Sequence, residues 1–595
     1  MQQFNNLVEL YQQACAQYAD REMLGTKRAG TWRWITYRQF RNQVDDARAG
    51  LAGLGVQPGE RVAFIGDNSV EWAVAAYASY GLGAAFVPMY QSQRPAEWQF
   101  ILEDCDARVV IVANEPTYDV LCKMRDGLPA LRHVIGVARG DDAPGSWRGL
   151  LAAGAARPVA AISPDPQSVA AFIYTSGTTG KPKGALLSHR NIASNIQAVH
   201  QLYELTPDER YLSFLPWAHS YGQTVELHSL FSWGASMAIN DALPNLLTNL
   251  AEVKPTLLVA VPRIFNRIYN AITREIAAQP GLAKKIIEHG LQQAVKRTRG
   301  EPLTPFDKLE LALDDKLIFQ KIRERFGGRL RYAFTGSASI SRDVIEFIDA
   351  LGIEVYEGYG LTETSPVVTT NSPGHRKFGS VGRVIPGVRV EIDTSVTEDH
   401  KDGEIIVYGP NVMLGYHDRP DENARTLRPD GGLRTGDLGH FDADGYLYIT
   451  GRIKEQYKLE NGKYVMPSPL EESLKLSPFI ANVMIYGDGR PCNVALVVPD
   501  AQAVQAWAEK QRMTLPDNPA GDDRVHALIA SEIERLSGDF KGFEKPRAIA
   551  LVAEDFTIAN GLLTPTLKLK RREVLARHGA TIDGLYAKLA AGDCN

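Results

Sequence analysis

The chain has 595 residues, 44% of them hydrophobic and 23% charged, with a formal net charge of −5. That length exceeds what one hydrophobic core ordinarily serves, so two or more structural units are expected, and the composition is that of a folded globular protein. Acidic and basic residues are interspersed, which removes the basic footprint of a nucleic-acid binder and excludes nucleic acid as an expected partner.

The opening MQQFNNLVELYQQ has neither a basic n-region nor a long apolar h-region, so no secretory signal is expected and the cytoplasm is the default address. Contact with a membrane surface is left open, and so is the choice between monomer and homodimer. Along the chain, short β-branched runs alternate with longer amphipathic ones: Arg61–Ile65 then Val70–Leu82, Arg108–Val112 then Tyr118–Leu128, Val169–Tyr174 then Asn191–Leu202. The same order returns at Thr256–Val261 with Arg263–Ile276, and at Arg331–Thr335 with Asp343–Leu351. This alternation predicts an α/β body of mixed, mainly parallel sheets covered by helices. The most apolar stretch, Ala73–Met89, is broken by Tyr77, Ser79, Tyr80, Gly81 and Gly83; it is too short to span a bilayer and predicts a buried helix followed by a strand.

Glu275–Arg325, rich in Lys, Arg, Glu and Leu at helical spacing, predicts an excursion of helices. From Gly379 onward, RVEI, GEIIVYG and GYLYITG predict a small β unit, and after Gly451 the pattern changes to a small α+β domain. The expected division is therefore 1–451 and 452–595. Cys15, Cys105, Cys122, Cys492 and Cys594 are scattered without metal-ligand spacing, which fits a reducing compartment.

The most informative segment is Tyr174–Gly184, YTSGTTGKPKG, which follows an apolar strand and precedes a helix near His189. Small hydroxyl residues, glycines and two lysines suit a loop wrapped around polyphosphate. It is not a Walker A loop, because Thr175 stands where that motif needs Gly and Pro182 where it needs Ser or Thr. The string resembles the phosphate loop of the adenylate-forming (AMP-binding) superfamily, and four further segments extend the resemblance over nearly the whole chain: YEGYGLTETSP (Tyr356–Pro366), TGDLG (Thr435–Gly439), GRIKE (Gly451–Glu455) and LTPTLKLKR (Leu563–Arg571). A faintly dinucleotide-like GLGA at Gly81–Ala84 ends a helical pattern instead of following a strand, which argues against an oxidoreductase.

The resemblance implies an enzyme that uses ATP to convert a carboxylic acid to an acyl-adenylate and then passes the acyl group to coenzyme A. It places Thr175, Ser176, Gly177, Thr178, Thr179, Lys183, Gly358, Tyr359, Gly360 and Thr362 around ATP, with Glu363 and Thr178 on Mg²⁺. Asp437 and Arg452 would hold the ribose. Lys568 is implied as the catalytic lysine, with Lys570 as the alternative because Leu567 replaces the glycine of the usual PTGK. Lys454 would be the hinge about which a small mobile domain rotates between the two half-reactions, bringing Lys458, Gly462 and Lys463 towards coenzyme A.

The acid would lie beside Gly336, Ser337 and Ala338, whose small size lets a chain pass close to the backbone. PWAHSYG (Pro216–Gly222) occupies the place of a family motif bordering the carboxylate, which brings in His219 and, as a gate or as core, Trp217. Lys316–Ser339 is similar to the long-chain fatty acyl-CoA synthetase branch. Two other outcomes stay open: transfer to a carrier-protein pantetheine or other acceptor, and a non-catalytic acyl or nucleotide sensor on the same fold.

Overall fold

The computed structural model describes residues 3–140, 143–175, 182–338, 340–397, 401–516, 518–564 and 568–592. Two sheets form the body. In the larger, of nine strands among the described residues, the parallel centre runs Glu354–Gly360, Tyr332–Thr335, Leu257–Ala260, Arg210–Ser213, Ser236–Ile239 and Glu22–Arg28. Antiparallel strands border it, Val367–Thr370 and Arg383–Val384 at one side and Thr31–Thr36 at the other. The second, seven-stranded sheet has a parallel run of Val169–Thr175, Ala85–Met89, Arg61–Ile65, Val109–Val112 and His133–Gly136, with Lys183–Ser188 and Gly415–Tyr416 antiparallel at its edge.

Strands covered on both faces read as continuous apolar runs, and Val109–Val112, VVIV, is buried throughout. The helix Val70–Gly81 is capped by Ser69, whose hydroxyl accepts the Trp72 N–H, and it is buried from Trp72 to Gly81. A helix apolar on every side belongs in the interior. Trp72 packs edge-on to Phe86 of the second sheet and to Trp217, while Tyr77 meets Phe231, so one core joins both sheets through this helix.

Several strands of the body were not legible as strands, three of them at the amino-terminal edge and beside the glycine-rich segment. Glu22–Arg28 and Thr31–Thr36 form a hairpin through Ala29 and Gly30, both at positive φ as a tight hairpin turn requires; its mixed polar sequence lacks the apolar run of a covered strand. Lys183–Ser188 pairs antiparallel with Val169–Thr175, so the glycine-rich segment connects two paired strands, and the helix His189–Leu202 follows only after the second, capped by Ser188.

The β unit is a four-stranded antiparallel sheet, Arg389–Asp393, Gly403–Tyr408, Leu433–Phe441 and Leu447–Arg452. Beyond it, Ile480–Tyr486, Asn493–Pro499 and Pro546–Leu551 form a three-stranded sheet with separate apolar clusters on its two sides. The last helix, Arg571–Ala591, begins after Lys568 and Lys570. Among the described residues no helix is long and apolar enough to cross a membrane.

Candidate active site

Parallel strands of the nine-stranded sheet deliver the first wall. In open α/β sheets the crevice beyond the carboxyl ends of the strands is where ligands bind. Here those ends lead into Pro216–Gly222, Gly336–Ala338 and Thr362–Glu363. The hydroxyls of Ser220 and buried Thr362 are 3.0 Å apart. A Cβ on Gly336 would lie 3.2 Å from the Gly358 carbonyl oxygen and 3.7 Å from the phenol oxygen of Tyr221, so any side chain there would narrow this passage. Ser337 has φ +69°, a strained conformation for a residue with a side chain. Gly360 is obligatory, since a Cβ would fall 1.8 Å from the Pro366 carbonyl oxygen.

The β unit supplies the second wall. Its hairpin puts Asp437 directly opposite Arg452. The Arg452 Nε lies 2.8 Å from Asp437 Oδ1, while the Tyr359 phenol donates to Asp437 Oδ2 at 2.8 Å. Asp437 is buried, and Tyr359 and Arg452 keep solvent-accessible surface. A buried carboxylate between two donors, with an aromatic face beside it, suits a polar ring and its hydroxyls.

Glu363 lies on the short turn Thr362–Thr364. Its Oε1 accepts from the Tyr416 phenol at 2.6 Å, and its carbonyl accepts the Met413 N–H at 2.9 Å. The strand carrying Tyr416 is paired with Lys183–Ser188. The Lys183 ammonium sits 5.4 Å from the Tyr416 ring centroid and is ion-paired with Glu422, which holds the Glu422 carboxyl below its usual range. Among the described residues no three His, Cys, Asp or Glu side chains cluster as a metal site. Glu363 alone suits a hard cation that takes its other ligands from phosphate and water, the habit of Mg²⁺.

The third wall comes from the C-terminal domain. Lys568 feels the charges of Arg452, Asp437, Glu455 and Glu363; surrounding protein, then Arg452, push its pKa down. It also retains accessible surface, so it lines an open cleft instead of being packed in a core. Its backbone is held by Thr564, whose Oγ1 accepts the Lys568 N–H at 3.0 Å and whose N–H donates to the Lys568 carbonyl at 2.8 Å. Lys570 instead donates its backbone N–H to Leu562 and caps the last helix.

His219 faces the same charge. Burial, then Lys568, hold its pKa down to about 4. Its Nδ1 accepts the Tyr221 backbone N–H at 3.2 Å, so the neutral ring carries its proton on Nε2 and serves as a hydrogen-bond donor.

Other expected residues lie elsewhere. Trp217 is fully buried against Trp72, its indole donating to Ser213 at 3.1 Å, which is the core alternative. Lys454 is in an exposed turn just after the strand that ends at Arg452. Lys458, Gly462 and Lys463 belong to the hairpin Tyr457–Val465, which packs on the turn Gly487–Arg490 and on Phe543. Thr175 ends its strand, and Ser176, Gly177, Thr178 and Thr179 fall outside the described residues. Ser220, Tyr221, Tyr416 and Glu422 were not anticipated. The first two sit inside PWAHSYG, but the others reach the site through pairing of strands more than 200 residues apart, for which the local sequence carries no signal.

A cleft walled by sheet ends, a β hairpin and a lysine from a following domain defines a two-part nucleotide-handling enzyme fold. The chain belongs to the AMP-binding enzyme family: residues 11–417 match that family and residues 454–590 match the AMP-binding enzyme C-terminal domain. It is 33% identical over 576 residues to the long-chain-fatty-acid–CoA ligase FadD15 of Mycobacterium bovis, covering 94% of this chain and 93% of the relative. It is 31% identical to the peroxisomal long chain acyl-CoA synthetase 7 of Arabidopsis thaliana, covering 97% and 85%. The fold matches the adenylation domain of a carboxylate reductase from Mycobacterium chelonae with a TM-score of 0.78, at 23% identity over 98% of this chain and 91% of that one.

Proposed function

We propose that the protein is a fatty acyl-CoA ligase that activates a long-chain fatty acid as its acyl-adenylate with release of pyrophosphate, then forms the acyl-CoA thioester with release of AMP. The observation that carries this is the presence of Lys568, from the C-terminal domain, in the electrostatic field of Glu363, Asp437 and Arg452. Full-length relatives named as long-chain-fatty-acid–CoA ligases support the choice of acid and acceptor.

In the first half-reaction a carboxylate oxygen bonds to the α-phosphorus of ATP as the bond to pyrophosphate breaks. Two anions must approach, so cationic and hydrogen-bonding groups dominate. Lys568 offsets the charge on the α-phosphate and the acid. Thr362, oriented by Ser220, donates to phosphate, and neutral His219 donates Nε2–H to the carboxylate. Asp437 accepts from the ribose hydroxyls with Arg452 beside it, and Tyr359 lies along adenine. Glu363, steadied by Tyr416, and Thr178 would hold a Mg²⁺ that supplies charge neutralisation for the phosphates. Thr175, Ser176, Gly177, Thr179 and Lys183 complete the phosphate cradle, while Gly358 and Gly360 give the backbone its close approach.

In the second half-reaction the thiol sulfur of coenzyme A bonds to the acyl carbon, the thiol proton is released and AMP departs. Residues 452–595 act as a domain that turns about Lys454, withdrawing Lys568 and presenting Lys458, Gly462 and Lys463. The acyl chain runs past Gly336, Ser337 and Ala338.

The test is mass-spectrometric product analysis with ATP, Mg²⁺, coenzyme A and a panel of acids from acetate to oleate plus benzoate. AMP and acyl-CoA from the longer acids are expected, with adenylate formation lowered about 10²–10³-fold in Lys568→Ala. Accumulated acyl-adenylate with no thioester would assign another acceptor, and absence of ATP turnover with any acid would overturn the enzyme reading.

A further inference from the structure

Large apolar side chains turned to solvent gather on the helical excursion. Helix Pro305–Asp314 exposes Phe306 (72%), Leu309 (63%) and Leu313 (55%), and helix Gly281–Thr298 exposes Leu282 (75%) and Ile286 (49%). Spacings of three and four residues place each set on one helix face. The two helices lie together, with His289 Nδ1 3.3 Å from Glu310 Oε1, and Gly290 so close to Asp314 that a Cβ would meet its carboxylate at 2.5 Å.

Helix Pro305–Asp314 departs from an ordinary surface helix, which turns mainly polar side chains outward, in carrying three large apolar side chains on its exposed face. Its acids are engaged elsewhere: Asp314 is buried, half-buried Glu310 pairs with His289, and Asp307 accepts the Thr304 backbone N–H at the helix start. The exposed positions of this helix are Pro305, Phe306, Lys308, Leu309, Ala312 and Leu313, with no acid among them. Lys285, beside Ile286, and Lys316, one turn beyond Leu313, are also exposed.

We propose that this face docks on a lipid surface bearing anionic headgroups. Apolar side chains ringed by lysines match the acyl boundary and the headgroup layer respectively, whereas pairing with a second copy about a twofold axis would set lysines against lysines. The inference rests on the fatty-acid reading, since it gives an apolar substrate a short route from bilayer to enzyme. The same core carries both features: the excursion packs with strands Leu257–Ala260 and Tyr332–Thr335, the latter leading directly to Gly336.

The experiment is co-sedimentation of the full chain with vesicles of phosphatidylcholine alone or with about 30% phosphatidylglycerol, without ATP or acid. Binding to the anionic vesicles is expected. It should fall at least about tenfold in the triple variant Phe306→Ser, Leu309→Ser, Leu313→Ser, and the anionic preference should be lost in Lys285→Glu with Lys308→Glu. Exposed positions leave the melting temperature and the turnover of octanoate unchanged, which separates docking from folding. Wild-type chain that ignores both vesicle types, or a triple variant that binds as wild type, would overturn the proposal. So would a wild-type dimer in gel filtration that the triple variant abolishes, which would assign the face to a second copy. Because no substrate is present, failure here leaves the ligase reading untouched, and retained binding by an inactive enzyme would sink that reading alone.

Discussion

A lysine partly shielded from water by surrounding protein and facing an arginine gives up its proton more readily than one in bulk water, and Lys568 is so placed. Polyphosphate reverses the sign, because a nearby anion favours the charged amine. Nucleotide binding at alkaline pH is therefore expected to take up protons, seen calorimetrically as a dependence of the binding heat on buffer ionisation, and Lys568→Ala should remove it. His219, held down to about 4, stays neutral through the working range, so kcat should show no titration near pH 6.5. Tyr416 acts through Glu363, to which its phenol donates, and beside Lys183, whose ammonium faces its ring, and is a positioning residue. Tyr416→Phe should weaken Mn²⁺ binding in the presence of a non-hydrolysable ATP analogue about tenfold, read by electron paramagnetic resonance, with the fold intact.

At the scale of elements, the turn that carries Lys454 and the turn that carries Glu363 make opposite demands. On the proposed function the first bends: Lys454→Pro restricts φ and is expected to leave adenylate formation while lowering thioester formation about 10²-fold, measured by separating the half-reactions. The second must not: Gly360→Ala has no room against Pro366 and should abolish both. What was legible in advance follows the same division. Buried parallel strands and their helices declared themselves by apolar runs, as at Arg61–Ile65 and Val70–Gly81, and the helical excursion by its spacing. Motif residues contiguous in sequence, such as Thr362 and Glu363, stay together on the short turn that follows the strand end Gly360. Hidden from the sequence were relations made only by folding: the edge hairpin Glu22–Thr36, whose half-polar strands lack an apolar run, the pairing that brings Tyr416 to Glu363, and the seating of Trp217 in the core beside Trp72.

For the whole molecule, pH acts on stability through carboxyls that folding has stripped of water. Burial pushes Glu226 and Glu357 up to about 8 from an ordinary 4.5. Between those values the folded chain keeps protons that the unfolded chain releases, so stability falls as pH rises, by up to ~1.4 kcal/mol per pH unit at each site. Glu226→Gln and Glu357→Gln should each flatten the decline in melting temperature between about pH 5 and 8. The antiparallel pairing of Asp437 with Arg452 has a different consequence for the molecule as a machine. Arg452 is the last residue of its strand and stands two positions before Lys454, so whatever occupies Asp437 and Arg452 also grips the chain at its entry to the turn proposed as the hinge. On the proposed function that occupant is the nucleotide from start to finish of the cycle. The pivot and the nucleotide then share one clamp: departure of AMP unlatches the axle about which the small domain swings back, and the enzyme resets when its spent nucleotide leaves.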